Sequence, residues 1–331
     1  MNEKILITGG AGFIGAHLAR RLLEEGYQVD LVDNFSRGVY DDMLKNITSS
    51  NKLNFKEIDL LDKKQIGKID LDYDIIFHLA AIVGVKHVLD KPYLVLKDNV
   101  DLLSNVIELA KNQKKLPRLL FSSTSEVYSG ALMHYSLPFP TPEDVPLTVT
   151  DVSHPRASYM LSKIYGEAMC HQSGLPFTIF RPHNIYGPRM GMSHVIPEQL
   201  QKAHVAKKGQ SIPVNSLSHT RSFCYVDDAV EILFRIMNSK LCIGKVLNLG
   251  SQKEEVTIEK LVELCFSVVG KELKIKPLDP SPGSPVRRNP NMKFTRELIN
   301  YESQISLKEG ISLTYEWYRE HIFDFEKKSG V

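Results

Sequence analysis

The sequence predicts an α/β protein, a doubly wound parallel sheet with a smaller C-terminal substrate-binding lobe interleaved with it. Three observations carry that prediction. Lys4-Ile5-Leu6-Ile7-Thr8 is a short apolar run that passes directly into a glycine-rich turn, as a buried parallel strand does. Strand-like runs and helix-like periodicities then alternate as far as Pro182, which is the pattern of repeated βαβ units. From about Gly187 the alternation weakens into turns and short segments.

The elements run in order along the chain. Ile14 to Gly26 reads as a helix with Leu18, Leu22 and Leu23 on one side. Residues 28–33 form a second strand, 53–59 a third and 74–81 a fourth, the last ending in small residues. Asn99 to Lys111 has helical spacing, with Val100, Leu103, Val106, Ile107 and Ala110 apolar. Residues 118–124 are a fifth strand running into a hydroxyl cluster, and 177–182 a sixth. The first domain is expected to span 1–186 and to recover 226–250. The lobe then takes 187–225 and 251–325, including a proline-rich patch from Pro277 to Pro290.

A parallel sheet presents ligands at the carboxyl ends of its strands. Thr8, Asp33, Asp59, Ala80 and Thr124 all fall on that edge. Strand, glycine turn, helix, strand and a terminal acid, Asp33, 18 residues after Gly15, make a Rossmann-type dinucleotide fingerprint. Gly9, Gly12 and Gly15 let the backbone approach a pyrophosphate, and the helix N-terminus faces its charge. Asp33 can accept ribose hydroxyls and repels a 2′-phosphate, so NAD is expected over NADP, although Arg37 nearby opposes that preference. Asp59 is placed to reach the adenine amine.

Tyr159-Met160-Leu161-Ser162-Lys163 places a phenol and an ammonium one helical turn apart on one face. Alone, this spacing describes an amphipathic surface pair. Beside a dinucleotide it describes redox chemistry. A phenol of pKa near ~10 is a poor base, and the ammonium together with an oxidised nicotinamide is expected to pull that pKa down. Tyr159 can then take a proton from a substrate hydroxyl as hydride leaves the carbon.

Bulk properties exclude other classes. A net charge of +2 with 24% charged residues gives no basic stripe for nucleic acid or membrane. No apolar run reaches spanning length and no cationic leader is visible, so a cytoplasmic protein is expected. Cys170, Cys224, Cys242 and Cys265 are scattered, without paired or histidine-linked spacing. They read as reduced, buried thiols, and no metal is expected.

Taken together, the motifs resemble the extended short-chain dehydrogenase/reductases of the nucleotide-sugar epimerase/dehydratase family. The matching elements run from Thr8-Gly9-Gly10-Ala11-Gly12-Phe13-Ile14-Gly15 through Asp33-Asn34, His78-Leu79-Ala80-Ala81, Phe121-Ser122-Ser123-Thr124-Ser125-Glu126-Val127-Tyr128 and Tyr159 to Lys163, ending at Arg181-Pro182-His183-Asn184-Ile185-Tyr186-Gly187-Pro188. The resemblance implies tightly held NAD, a nucleoside-diphosphate sugar (a UDP-sugar first), a transient ketone at sugar C4, and a homodimer built on a four-helix bundle. It places Phe13, Ile14, Asn34, Leu60, Leu79, Ala80, Ala81, Asn99, Ser122 and Pro182 beside the cofactor with the glycines, Asp33, Asp59, Tyr159 and Lys163. Thr124 takes the catalytic Ser/Thr position, binding the C4 oxygen beside Tyr159. Lys163 holds the nicotinamide ribose. The sugar side is assigned Ser123, Ser125, His183, Asn184, His194 and Val195. Arg221 and one of Arg287 or Arg288 match diphosphate-binding arginines.

The step taken after the ketone forms divides the family. Epimerisation asks least of the site and is the first expectation. A UDP-glucuronate decarboxylase or a 4,6-dehydratase needs an added acid/base, and Glu126, in the triplet Thr124-Ser125-Glu126, resembles one. Ser129 comes after Tyr128 where the family usually has glycine. A silent dinucleotide-sensing protein of this fold is the remaining alternative, and it leaves the joint presence of Thr124, Tyr159 and Lys163 without a purpose.

Overall fold

A computed structural model of the chain describes residues 3–149, 151–280 and 284–324. The lobe's expected boundary at Phe325 and the 281–283 stretch of the proline-rich patch lie outside the described residues. Seven strands make one parallel sheet: β1 (Lys4–Thr8), β2 (Gln28–Asp33), β3 (Leu53–Glu57), β4 (Ile75–His78), β5 (Arg118–Ser122), β6 (Phe177–Pro182) and the strand Lys245–Leu249. Their spatial order is Lys245–Leu249, β6, β5, β4, β1, β2, β3. The chain winds outward from β1 to β3, returns, and winds the other way from β4. The reversal between β1 and β4 opens a crevice at the strands' carboxyl ends, where such sheets bind ligands.

Strand alternation splits the core in two. Ile5 and Ile7 face a cluster with Leu18, Leu22 and Leu31, whereas Leu6 faces one with Ile76, Val106 and Leu119. Helix α1 (Phe13–Glu24) covers the first face and the helix Pro92–Lys111 the second. Each fully buried Leu or Ile there stabilises by roughly 1.5–3 kcal/mol, so burial on both faces makes strand identity insensitive to local propensity.

Several boundaries differ from the sequence expectation. The helix expected from Asn99 starts at Pro92, because proline at the first position loses only a hydrogen bond that a helix start does not make. Strands expected to end at Ala81 and Thr124 leave the ladder at His78 and Ser122. Their last residues become the crevice loops instead.

The helix Ala157–Gln172 lies along Pro92–Lys111 and carries Tyr159 and Lys163 to the end of β5. In the C-terminal half, Thr220–Ser222 pairs antiparallel with Glu255–Thr257 and parallel with Arg287–Arg288. The helix Ile258–Val269 starts on the Thr257 hydroxyl, which accepts from the Lys260 N–H, and ends at Gly270 in the left-handed conformation, φ 75°. No helix among the described residues is long and apolar enough to cross a membrane.

Candidate functional site

The floor of the crevice is built by glycine. Gly9 sits at φ 72°, and a Cβ there would lie 2.7 Å from the Ala80 nitrogen. A Cβ on Gly15 would run into the Gly9 carbonyl, and one on Gly12 would stand 3.1 Å from it. Helix α1 begins at this turn with no side chain capping its first N–H groups, so Phe13 and Ile14 open an anion-binding helix start. Asp33 accepts from the Ala11 N–H at 3.0 Å and the Phe35 N–H at 2.9 Å. Each carboxylate oxygen keeps lone pairs for a ribose, and burial pushes its pKa up. A dinucleotide's pyrophosphate and ribose fit this cradle.

Around it, Asn34 accepts from the Ser36 N–H at 3.0 Å, shaping the loop after β2. Asp59 accepts from the Leu61 N–H at 2.9 Å, and the Leu60 carbonyl accepts from the Asn105 amide at 2.8 Å. Asn99 accepts from the Ile82 N–H at 2.7 Å and donates to the Ile82 carbonyl at 3.0 Å. It therefore holds the loop that carries Leu79, Ala80 and Ala81 rather than presenting its amide to the crevice. Pro182 ends β6 opposite Leu249.

Sequence reasoning missed Arg189. Its guanidinium pairs with Asp41 at 2.6 Å and donates to the carbonyls of Val39, Ala11 and Gly12 at 2.9, 3.2 and 3.2 Å. One buried fork thus ties the glycine turn to the loop after β2. Its signal was position, directly behind Gly187-Pro188, at φ 70°. Arg37 reaches across the crevice mouth, its Nη2 3.8 Å from where a Gly84 Cβ would stand and 3.9 Å from one on Gly191.

The expected catalytic residues converge. Thr124 caps the turn after β5, accepting from the Glu126 N–H at 3.2 Å, and its hydroxyl hydrogen-bonds the Tyr159 phenol. Lys163 donates to the Ser122 carbonyl at 2.8 Å, with its Nζ 4.9 Å from the Phe121 ring centre and 5.8 Å from that of Tyr159. One expectation is corrected. The phenol is not lowered by Lys163: burial, with the negative charge of Glu126 second, raises it, while Thr124 and Arg37 pull it down. Burial in turn lowers Lys163 to about 8. The chain by itself keeps Tyr159 protonated, and the opposing positive charge has to come from an oxidised nicotinamide.

On the sugar side, Glu126 is paired. Its Oε1 accepts from Arg288 Nη1 at 2.7 Å, and the charge of Arg288 holds the carboxyl below its ordinary range. The Ser129 hydroxyl lies between the two, accepting from Arg288 Nη2 at 3.3 Å and donating to Glu126 Oε2 at 3.4 Å. Between the two arginines left open by the sequence, Arg288 reaches this site. Arg287 is exposed, forks onto Glu255 at 2.6 and 2.7 Å and stacks over Phe139. Arg221 is buried and bound to the chain itself, through Thr220, Ser284, Pro285 and Val286. Burial and the neighbouring Arg288 lower it to about 10.

Other expected sugar contacts lie deeper or at the rim. Ser123 and Ser125 are buried, and Ser123 donates to Glu167 at 2.5 Å. His183 is buried against Tyr128 with its Nε2 3.1 Å from Asn248 Oδ1, and burial drives its pKa to about 3. It props the site from behind. Asn184 sits at φ 43° and donates to the Ser222 carbonyl at 2.8 Å. His194 and Val195 open the helix Val195–Val205 beside Gly191. Among the described residues no cluster of metal-ligating side chains occurs, and all four cysteines are free and buried.

Comparison with known proteins places the chain in a family. The model of the NAD dependent epimerase/dehydratase family matches residues 5–250. The chain is 33% identical to a UDP-N-acetyl-alpha-D-glucosaminuronate decarboxylase of Bacillus cytotoxicus, over 97% of this chain and 99% of that one. It is 32% identical to UDP-glucuronic acid decarboxylase 1 of Danio rerio, over 96% and 72%. Among solved structures, a UDP-glucuronic acid 4-epimerase from Bacillus cereus, in complex with UDP-glucuronic acid and NAD, superposes with a TM-score of 0.82 at 26% identity, covering 96% of this chain and 99% of that one.

Proposed function

Because the chain belongs to the NAD-dependent epimerase/dehydratase family, we propose that it oxidises C4 of a UDP-linked hexuronate and then releases its C6 carboxyl as carbon dioxide. The observation that carries this reading is the Glu126–Arg288 pair, 2.7 Å apart beside the Thr124–Tyr159 hydroxyls. A 4-epimerase needs only to turn its ketosugar over before reduction and has no work for a second acid/base. Loss of C6 does.

The glycine turn, Asp33 and Lys163 would hold NAD, which would supply the hydride acceptor and later the donor at C4. Thr124 and Tyr159 hold the C4 oxygen, and Tyr159 takes the hydroxyl proton. With a ketone at C4, the C5–C6 bond breaks, carbon dioxide leaves, and its electron pair passes from C5 into the C4 carbonyl as an enolate. A proton must then reach C5. Glu126 flanks that position and orders the incoming donor, held in place by its pairing with Arg288. Tyr159 returns its proton as the C4 alcohol is restored, so cofactor and enzyme end as they began.

Arg221 and Arg288, side by side, suit the diphosphate. The relatives named for uronate decarboxylation align over nearly the whole chain, which supports a lyase ahead of the isomerase expected first from the sequence. Tyr93, Leu94 and Tyr165 are exposed along the paired helices, in keeping with a homodimer through that face. The test is mass spectrometry of UDP-glucuronate and its N-acetylated amino analogue after incubation with the NAD-loaded protein. Loss of carbon dioxide is expected; an unchanged mass with a new retention time would make it an epimerase.

A further inference from the structure

The helix that presents Tyr159 and Lys163 carries a third buried polar side chain on the same face, Glu167, one turn beyond the lysine. Lys163 and Glu167 are both nearly inaccessible, at 4% and 5% exposure. They grip consecutive residues at the end of β5: the ammonium donates to the Ser122 carbonyl at 2.8 Å, and the carboxylate accepts from the Ser123 hydroxyl at 2.5 Å. The next residue is Thr124. Glu167 is also forked by Arg181, Nε to Oε1 at 2.9 Å and Nη2 to Oε2 at 2.7 Å.

Arg181 is turned away from the lysine. Its other nitrogen donates to the Tyr128 hydroxyl at 2.7 Å and the Glu143 carbonyl at 3.0 Å, and its guanidinium lies over the Tyr128 ring. Lys163 thus shares the end of β5 with the anionic member of the pair. We propose that Glu167 is a positioning residue, which keeps Lys163 cationic in its buried seat and fixes Thr124 at its distance from Tyr159. The inference rests on the reading that Tyr159 and Lys163 carry the redox step.

The surroundings of Lys163 leave this task to Glu167. Facing it are Tyr159 and Cys170 from its own helix, His78 from β4, and Arg181 from β6 behind the carboxylate. His78 is buried and hydrogen-bonded to Thr8 at 2.8 Å, with its pKa driven to about 3, so it is neutral. Cys170 is raised to about 12 by burial and is a neutral thiol. Tyr159 is protonated. Glu167 is the remaining formal negative charge in this set. Burial alone disfavours an ammonium; Cys170, and after it the Glu167 carboxylate, oppose that loss.

The experiment is nitrogen NMR of the NAD-loaded protein labelled at lysine, with the Lys163 signal identified by its disappearance in Lys163→Met. Glu167→Gln is expected to lower the Lys163 midpoint by about one pH unit or more. Glu167→Asp, which keeps the charge, is expected to lower it by less than half as much. The high-pH limb of C4 oxidation, read from reduced-cofactor absorbance, is expected to move down by the same interval. An unchanged midpoint in Glu167→Gln overturns the proposal, as does activity lost equally at every pH. Should Glu167→Gln not fold, Glu167→Ala, which also removes the charge, is measured in its place, and an unchanged midpoint there overturns the proposal. A wild-type protein that never reduces its cofactor, yet whose Lys163 midpoint tracks Glu167, would defeat the redox reading and leave the electrostatic one standing.

Discussion

Arg288 lies opposite Arg221 in the parallel pair formed by Thr220–Ser222 and Arg287–Arg288. Two like charges in register on neighbouring strands repel, and here both are nearly buried. Arg221 is bound by carbonyls and one hydroxyl, whereas Arg288 has a carboxylate, Glu126. A dianionic ligand relieves that repulsion. Arg288→Met is accordingly expected to raise KM for a UDP-sugar by roughly 10–100-fold, the loss of one charge-assisted contact. Steady-state kinetics against ionic strength checks it, and an unchanged KM would remove Arg288 from the binding site.

Glu126→Gln separates oxidation at C4 from loss of C6. The variant is expected to reduce its cofactor on mixing with UDP-glucuronate, while carbon dioxide release falls by about 100-fold or more. Stopped-flow absorbance and trapped carbon dioxide, measured on one sample, decide it. Equal retention of both would return epimerisation to first place.

Tyr159→Phe is expected to keep bound NAD and lose at least ~100-fold in turnover. The phenol stays protonated in the chain alone, so activity should rise with pH until Lys163, near 8, gives up its proton. A pH–rate profile without a high-pH limb would count against that role for the lysine.

Stability should move oppositely to activity at Lys163. Its folded pKa, about 8, lies below the unfolded 10.5, so the unfolded chain binds the proton more tightly between those values. Stability therefore rises with pH from about 8 to 10.5, and the burial penalty is present in full below 8. Lys163→Met is expected to gain ~1–2 kcal/mol at pH 7 after its lost hydrogen bond to Ser122 is subtracted. Denaturant melts at pH 7 and pH 10 test it; a gain that does not shrink at pH 10 contradicts the assignment.

Gly9→Ala should abolish cofactor retention. At φ 72° any side chain is strained, and the added carbon meets the Ala80 backbone at 2.7 Å, where neither partner can turn aside. A loss of ~2 kcal/mol or more in stability is expected, with protein-bound NAD after purification as the direct readout.

Much of this was legible in the sequence because it is local. The glycine turn, the buried run Lys4–Thr8 and the Tyr159–Lys163 spacing each lie within a dozen residues, where periodicity and turn chemistry speak directly. The hidden part depends on distant partners. Glu167 belongs to none of the motifs read from the sequence, and its contacts come from Ser123 and Arg181, 44 and 14 residues away. Arg189 is explained by Asp41, 148 residues back. Arg287 and Arg288 are adjacent in sequence, and strand alternation sends one out to Glu255 and the other in to Glu126. The pKa of Tyr159 was misjudged for a related reason: the lysine's spacing was visible, but the burial of the phenol, and after it the charge of Glu126 beside it, were not.

Glu126 and Arg288 stand 162 residues apart along the chain. The first is mounted at the end of the sheet with the redox residues, the second on a two-residue strand of the lobe. A gene-shuffling event with its breakpoint between the last strand of the sheet, Lys245–Leu249, and Arg288 would hand an intact oxidising half a new C-terminal partner. The oxidation of the sugar would be inherited whole, and the fate of the ketone would be open to selection, so one ancestral scaffold could found lineages with different products.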